Sequence, residues 1–351
     1  MANTGIVRDE RYLEHDTGGF HVENPERLVH IYRALDDLHG PFVDIPPRPA
    51  TIPEVIAVHD PEYVDRIAAT AGRSVRLDPD TVASPRTYEI ALLAAGGLLE
   101  AVDAVMSSVN AVKNAIALVR PPGHHAERNR AMGFCIFNNV AIAAKHVLAT
   151  HGIDRVLIID WDLHHGNGTQ NTFYTDPNVL YFSTHQYPFY PGTGHYTEMG
   201  EGNGKGYTVN VPLSYGHSET DYANIFRHLL RPITLQYRPQ LILISAGFDI
   251  YYRDPLGGMN VSEDGFARLA DIVMDLAADV CEGKIVITLE GGYNLEGIAS
   301  SVREVVKTLA ALAPVDSVSW EKREDKEYPQ IRPIVETVKN TLKDYWRWED
   351  G

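Results

Sequence analysis

The stretch RVLIIDWDLHHGNG, Arg155 to Gly168, decides the fold: an unbroken aliphatic run passes straight into two aspartates and two adjacent histidines, with glycines behind them. A segment apolar on both faces belongs inside a parallel sheet covered by helices, because a strand with one wet face would alternate. Runs of the same kind recur as NAIALV (114–119), VLYFS (179–183), QLILISAG (240–247) and KIVITLEGG (284–292). Between them lie helix-like stretches: YEIALLAAGGLLEAVDAVMSS (88–108), FNNVAIAAKHVLATHG (137–152), YANIFRHLLRPITLQY (222–237) and DGFARLADIVMDLAADVCEG (264–283). Gly283 is the expected C-cap of the last. The alternation predicts an α/β fold, a single open, mostly parallel sheet with helices on both faces. No linker or repeat divides residues 1–351, which read as one domain. Within 315–351, WEKREDKEYP (320–329) reads as a charged, solvated connector to a last helix, IRPIVETVKNTLKDYWRW (331–348), packed on that domain.

Composition excludes several function classes. The 351 residues are 44% hydrophobic, ordinary for a chain with a sizeable core. A formal net charge of -16 argues against a nucleic-acid partner, since phosphate binding requires a basic surface. The same field would favour encounter with cationic substrates, although an acidic surface also serves solubility. No apolar run approaches bilayer length, and the polar start MANTGIVRDERYLEH has no secretory pattern, so no membrane partner and a cytoplasmic location are expected. Cys135 and Cys281 sit in no metal pattern and read as reduced core residues.

Ligands in open α/β sheets bind beyond the carboxyl ends of the strands. After ALV comes RPPGHHA, after LII comes DWDLHHGNG, after ISAG comes FD, and after ITL comes EGGYN. All four strand ends therefore carry residue types suited to catalysis. In an extended segment residues i and i+2 project to one side, so Asp162 and His164 can reach one ion while Leu163 turns away. A catalytic zinc takes three protein ligands and keeps a fourth position open, and Asp249 is the best third ligand.

RPPGHHA, GFCIFNN, DWDLHHGNGTQ, PGTG, SAGFD, DPLGG and LEGGYN occur in this order over residues 120–294. With them the chain resembles the zinc-dependent histone deacetylases of the arginase–deacetylase superfamily, closest to class II and bacterial histone-deacetylase-like amidohydrolases. HVENPERL (21–28) is similar to an early segment of that family. The resemblance implies removal of acetyl or short acyl groups from acyl-lysine in proteins or peptides, with an acetylpolyamine or other small amide as the alternative substrate. It makes Asp162, His164 and Asp249 the ligands of zinc, or of iron(II) in its place. His124 and His125 become the tandem histidines facing the attacking water, with His125 as general base and then acid and His124 as an electrostatic partner. Asp160 matches the acid bonded to His124. Asn167 stands where class I relatives have an aspartate behind the second histidine, which agrees with class II. Tyr293 would stabilise the oxyanion; some relatives carry His there.

Phe134 and Tyr190, by the same resemblance, wall a narrow slot for an alkyl chain, with Gly133, Gly291 and Gly292 beside it; Tyr190 replaces the usual phenylalanine. His15 to His21 and DPDTVASP (78–85) are expected in rim loops. Leu256 occupies the place where polyamine-deacetylating relatives have a glutamate. Two potassium sites are implied as well: an inner one at Asp160, Asp162, His164, Ser183 and Thr184, and an outer one at Phe173, Asp176, Val179 and Tyr207. Two rivals differ in class: a dimanganese ureohydrolase, disfavoured by Gly247 and Tyr251 where a second carboxylate would be needed, and a non-catalytic acyl-ligand sensor, disfavoured by the intact residue set. A homo-oligomer stays open.

Overall fold

A computed structural model describes residues 3–107 and 112–348. Its strands, in chain order, are β1 (Asn3–Val7), β2 (Phe42–Asp44), β3 (Val75–Arg76), β4 (Val82–Ala83), β5 (Val112–Ala117), β6 (Val156–Asp160), β7 (Val179–Gln186), β8 (Thr208–Leu213), β9 (Leu241–Ala246) and β10 (Ile285–Leu289). Eight of them form one open sheet in the order β2-β1-β5-β10-β9-β6-β7-β8, with every pairing parallel. The pair β3 and β4 makes a short antiparallel ribbon.

Register fixes where the chemistry emerges. Asp160 at the end of β6 pairs with Ser245 on β9, Thr288 on β10 pairs with both Ser245 and Ala117, and Leu289 pairs with Ala246. The neighbouring strands β5, β10, β9 and β6 therefore stop at one level, and the loops that follow them open onto one rim. Strands β6, β9 and β10 are buried along their whole length, as their aliphatic runs require.

Packing explains the helices. Thr87–Met106 lies against β1, β5 and the helix Asn139–Thr150, and is buried on most of its surface. A Cβ at Gly96 would stand 1.9 Å from the Arg48 carbonyl oxygen, so glycine permits that close approach. Ser108, the end of this helix-like stretch, lies outside the described residues. In 222–237 the helix is interrupted by a π-helical turn, Phe226–Leu230, ahead of Pro232, which has no N–H to donate. Among the described helices none is long and apolar enough to cross a membrane.

Two expectations need correction. The helix Glu263–Cys281 is capped by Glu282 in the left-handed region at φ 58°, and Gly283 only follows it, donating its N–H to the Ala277 carbonyl at 3.0 Å. The segment 320–329 is exposed at most positions, as its charges imply, but it is no connector, because it lies inside the helix Ser317–Leu342. Its buried positions, Glu324, Ile331, Val335, Val338 and Leu342, recur at helical spacing on one face. Glu324 reads as solvated by residue type, yet it is fully buried and accepts from Arg268 Nε at 2.8 Å and Arg227 Nη1 at 3.1 Å.

Candidate active site

Asp160 to His165 crowd four chemical side chains into six positions because each is sent in its own direction. Leu163 points into the core and its N–H donates to Asp249 Oδ1 at 2.9 Å, which ties the β6 loop to the β9 loop. Asp162 and His164 thereby face Asp249: His164 Nδ1 lies 3.2 Å from Asp162 Oδ1 and 3.1 Å from Asp249 Oδ2. Single donor atoms of these three buried residues fall within 4.8 Å of one another. His165 turns away, bonding Thr193 of PGTG at 2.7 Å and Gln170 at 3.0 Å. Asp160 accepts from His124 Nδ1 at 3.1 Å and from the Tyr181 hydroxyl at 2.9 Å.

Two buried carboxylates side by side suit a cation between them. Burial, then the neighbouring Asp162 charge, raises Asp249 to about 7. Glycines keep this corner tight: a Cβ at Gly247 would sit 2.1 Å from Asp162 Oδ2, and one at Gly291 would sit 2.4 Å from Asp249 Oδ2. The donor set of one imidazole and two carboxylates fits a zinc-like ion, and the crowding at Gly247 leaves no room for a further bridging carboxylate there.

The tandem histidines after β5 differ in charge. Burial disfavours protonated His124, but Asp162, Asp160 and Glu290 outweigh it and raise it to about 10. Burial, with the positive charges of His124 and His164, holds His125 well below the usual range. His125 Nδ1 bonds Asn167 Oδ1 at 2.8 Å. Such a pair, one cationic and one neutral, can hold charge and accept a proton at adjacent points.

A cavity of about 270 Å³ leads to these groups, lined by Gly133, Phe134, Tyr190, Leu256 and Tyr293, together with Asp80 and Phe189. Tyr190 stands edge-on to His125 with centroids 5.2 Å apart, and Phe134 edge-on to Tyr293 at 5.8 Å. Gly133 is at φ 55°, and a Cβ there would strike the His125 ring. Of the expected rim segments, Asp80 reaches the cavity and His21 packs on Phe134, but His15 does not belong to the rim. It is buried and bonded to Thr87 Oγ1 at 2.8 Å.

The histone deacetylase domain pattern matches residues 21–309 of this chain. The chain belongs to the histone deacetylase family. Family membership carries the activity class, a deacetylase hydrolase. It is 37% identical to a probable deacetylase of Archaeoglobus fulgidus over 98% of this chain and 99% of that one. It is 41% identical to the polyamine deacetylase HDAC10 of Danio rerio over 93% of this chain and 49% of that protein, and 38% identical to the histone deacetylase HDA1 of Candida albicans over 90% and 42%. The chain thus spans about half the length of these last two relatives. The crystal structure of the HDA15 HD domain matches with a TM-score of 0.89 at 38% identity, covering 99% of this chain and 96% of that one.

In this histone deacetylase family member several supporting residues escaped the sequence reading. Glu290 Oε2 accepts from the Gly123 and His124 N–H groups at 2.7 and 3.2 Å, locking the HH loop to the end of β10. Asp254 of DPLGG accepts from the Tyr293 and Asn294 N–H groups at 2.6 and 3.0 Å. Arg27, from HVENPERL, donates to the carbonyls of Glu290 and Gly292 and lies 5.0 Å from the Tyr293 ring centroid. Phe189 stacks on His164 at 5.6 Å; its signal was its place beside Tyr190. At the inner potassium positions, Asp160 pairs with Ser183 across β6 and β7, and Thr184 Oγ1 is buried without a hydrogen-bond partner. At the positions expected for the outer one the Asp176 carboxylate is engaged by Lys145 at 2.7 Å, and the Phe173, Asp176 and Tyr207 carbonyl oxygens accept from the N–H groups of Asp176, Val179 and Tyr181.

Proposed function

We propose that this chain removes acetyl or short acyl groups from lysine side chains in proteins or peptides. The observation that carries the reading is the meeting of the Asp162, His164 and Asp249 donors, a histidine pair of unequal charge and Tyr293 at the end of one partly aromatic cavity. Zinc would be held by those three donors, with iron(II) fitting the same set. Bound there, the ion supplies a Lewis acid that polarises the amide carbonyl and lowers the pKa of water.

The chain's own residues supply the rest. Hydrogen bonding of Nδ1 to Asn167 leaves His125 Nε2 free to take the proton of the attacking water and pass it to the leaving amine. His124, kept cationic by Asp160 and its neighbours, stabilises negative charge in the cleft. The phenol of Tyr293 stays protonated, since burial pushes it well above its ordinary value, and it donates to the carbonyl oxygen as charge develops. Phe134, Phe189 and Tyr190 exclude water from the alkyl chain. Potassium ions at the inner and outer positions would bolster the carbonyls and carboxylates below the cleft, with the orphaned Thr184 hydroxyl supporting the inner one. Asp80 in the cavity wall and the charge of -16 favour a second reading, an acetylpolyamine substrate. We place the reaction in the cytoplasm.

The test is hydrolysis of an acetyl-lysine peptide by zinc-loaded protein, its loss on chelation and its recovery on zinc addition. Absence of turnover on acyl-lysine peptides, with zinc bound, would overturn the proposal, and turnover of acetylpolyamines alone would leave the second reading in its place.

A further inference from the structure

Three donor groups meet at the opposite end of the strands from the cleft. The helix Thr87–Met106 ends shortly before β5 begins, and the helix Asn139–Thr150 ends shortly before β6, so their last turns lie where the parallel strands start. There Asp103 Oδ1 is approached by His146 Nε2 at 2.8 Å and by His151 Nε2 at 2.7 Å. The two rings stand 6.1 Å apart at 68°, and one donor atom from each residue lies within 4.8 Å of the other two. Side-chain exposures of 37%, 10% and 23% for Asp103, His146 and His151 leave the group reachable from solvent but partly desolvated.

Outer residues favour a bound cation. His146 Nδ1 is 3.8 Å from Glu54 Oε1, and Arg48 holds that carboxylate at 2.7 Å. A carboxylate on the far ring nitrogen keeps the proton there and turns the other nitrogen's lone pair toward an ion, the usual support of a metal-bound histidine. His151 caps the C-terminus of Asn139–Thr150, where unpaired carbonyls attract positive charge. Two imidazoles and a carboxylate suit zinc or a similar first-row ion; magnesium and calcium prefer all-oxygen shells.

We propose that Asp103, His146 and His151 form a second zinc site, structural in role, which clips the ends of these two helices together. It is independent of the deacetylase reading, because no residue is shared with the cleft. A ligand that binds only the folded chain stabilises it by mass action, so zinc should raise the unfolding temperature beyond the effect of filling the cleft.

The experiment titrates protein already holding one zinc per chain with further Zn2+ and reads ion content after equilibrium dialysis together with Tm. Wild type is expected to gain one further ion per chain and a higher Tm. The variants His146→Ala and His151→Gln, each made alone, should lose that ion and the Tm response while keeping the hydrolysis rate measured without added zinc. Failure of wild type to take up a further ion overturns the site, as does unchanged uptake by a folded variant. Asp103→Asn, which keeps the shape and removes the charge, provides a third check should either histidine variant misfold.

Discussion

His125 donates from Nδ1 to the Asn167 side-chain oxygen at 2.8 Å, and that amide is itself backed by a carboxylate, donating to Glu127 Oε1 at 2.5 Å. A neutral amide alone would stabilise imidazolium less than an aspartate does, but Glu127 restores part of the negative charge one bond further out. Removing it should make His125 harder to protonate. Glu127→Gln is therefore expected to move the acid limb of the kcat/KM profile to lower pH, and Asn167→Asp to move it to higher pH. Profiles of both variants that superimpose on wild type would dissociate this chain of bonds from the reaction.

Tyr293 is positioned by Asp254 and Arg27 through its backbone and ring, so truncating its hydroxyl leaves the loop supported. Tyr293→Phe should retain metal and fold and lose activity by roughly 10²–10³, the usual effect of deleting one oxyanion donor. Near-full turnover on an acetyl-lysine peptide would assign that role elsewhere.

The metal corner offers a sharper test than ligand deletion. A methyl at position 247 would press on Asp162 Oδ2, so Gly247→Ala should weaken zinc binding by roughly 10- to 100-fold, the range seen when residues behind metal ligands are disturbed. Competition with a chelator reads this directly, and Asp249→Ala gives the limiting case. Two tightly held manganese ions in this cleft would contradict the mononuclear reading.

Much of this arrangement was legible because it depends on runs and spacings. The β6 run, apolar on both faces, could only be interior, and the i, i+2 relation of Asp162 to His164 put both on one side before any contact was known. What stayed hidden depends on long-range pairing. Glu324 is buried because Arg268 and Arg227 arrive from other elements, and nothing in a run of charged residues announces which of them will be buried. Strand β8 carries Pro212 at the sheet edge, where a missing N–H costs little, so its short alternating TVNVPL gave no core-strand signal. Glu290 stood out only as one of the EGGYN residues at a strand end, and its work on the Gly123 and His124 amides is visible only once β5 and β10 are neighbours.

Stability should fall in mild acid for a stated reason. Burial lowers His59 from 6.5 to about 4, and its Nε2 accepts from the Asn138 N–H at 2.9 Å, a bond that protonation destroys. Between those values the unfolded chain binds a proton that the folded chain refuses, so stability is lost as pH falls from 6.5 toward 4, by about 3 kcal/mol for a shift of this size. Urea unfolding at pH 7 and pH 4.5 should show the loss. It should shrink in His59→Gln, whose amide can accept from Asn138 and donate to the Glu127 carbonyl, which His59 Nδ1 meets at 2.9 Å, without titrating; an unchanged pH dependence in that variant would remove His59 from the account.

The proposed preference between the two substrate classes turns on Leu256. Its N–H is held by Asp254 Oδ1 at 3.0 Å, the same carboxylate that holds the Tyr293 loop, so its side chain is fixed at the cavity wall. An isobutyl group there offers no partner to a distant ammonium, whereas the methylenes of a peptide-borne acyl-lysine can pack on it. The overall charge of -16 draws in polyamines, but a long-range field accelerates every cationic ligand and discriminates weakly between them. Asp80 is the carboxylate at the cavity, where burial and the neighbouring Asp78 raise its pKa. The kcat/KM for an acetyl-lysine peptide should therefore exceed that for N-acetylputrescine or N-acetylspermidine. Leu256→Glu should shift the ratio toward the polyamines by roughly fivefold or more, the equivalent of about 1 kcal/mol for a partly exposed ion pair. A wild-type preference for either acetylpolyamine would show that the wall at position 256 does not set the substrate.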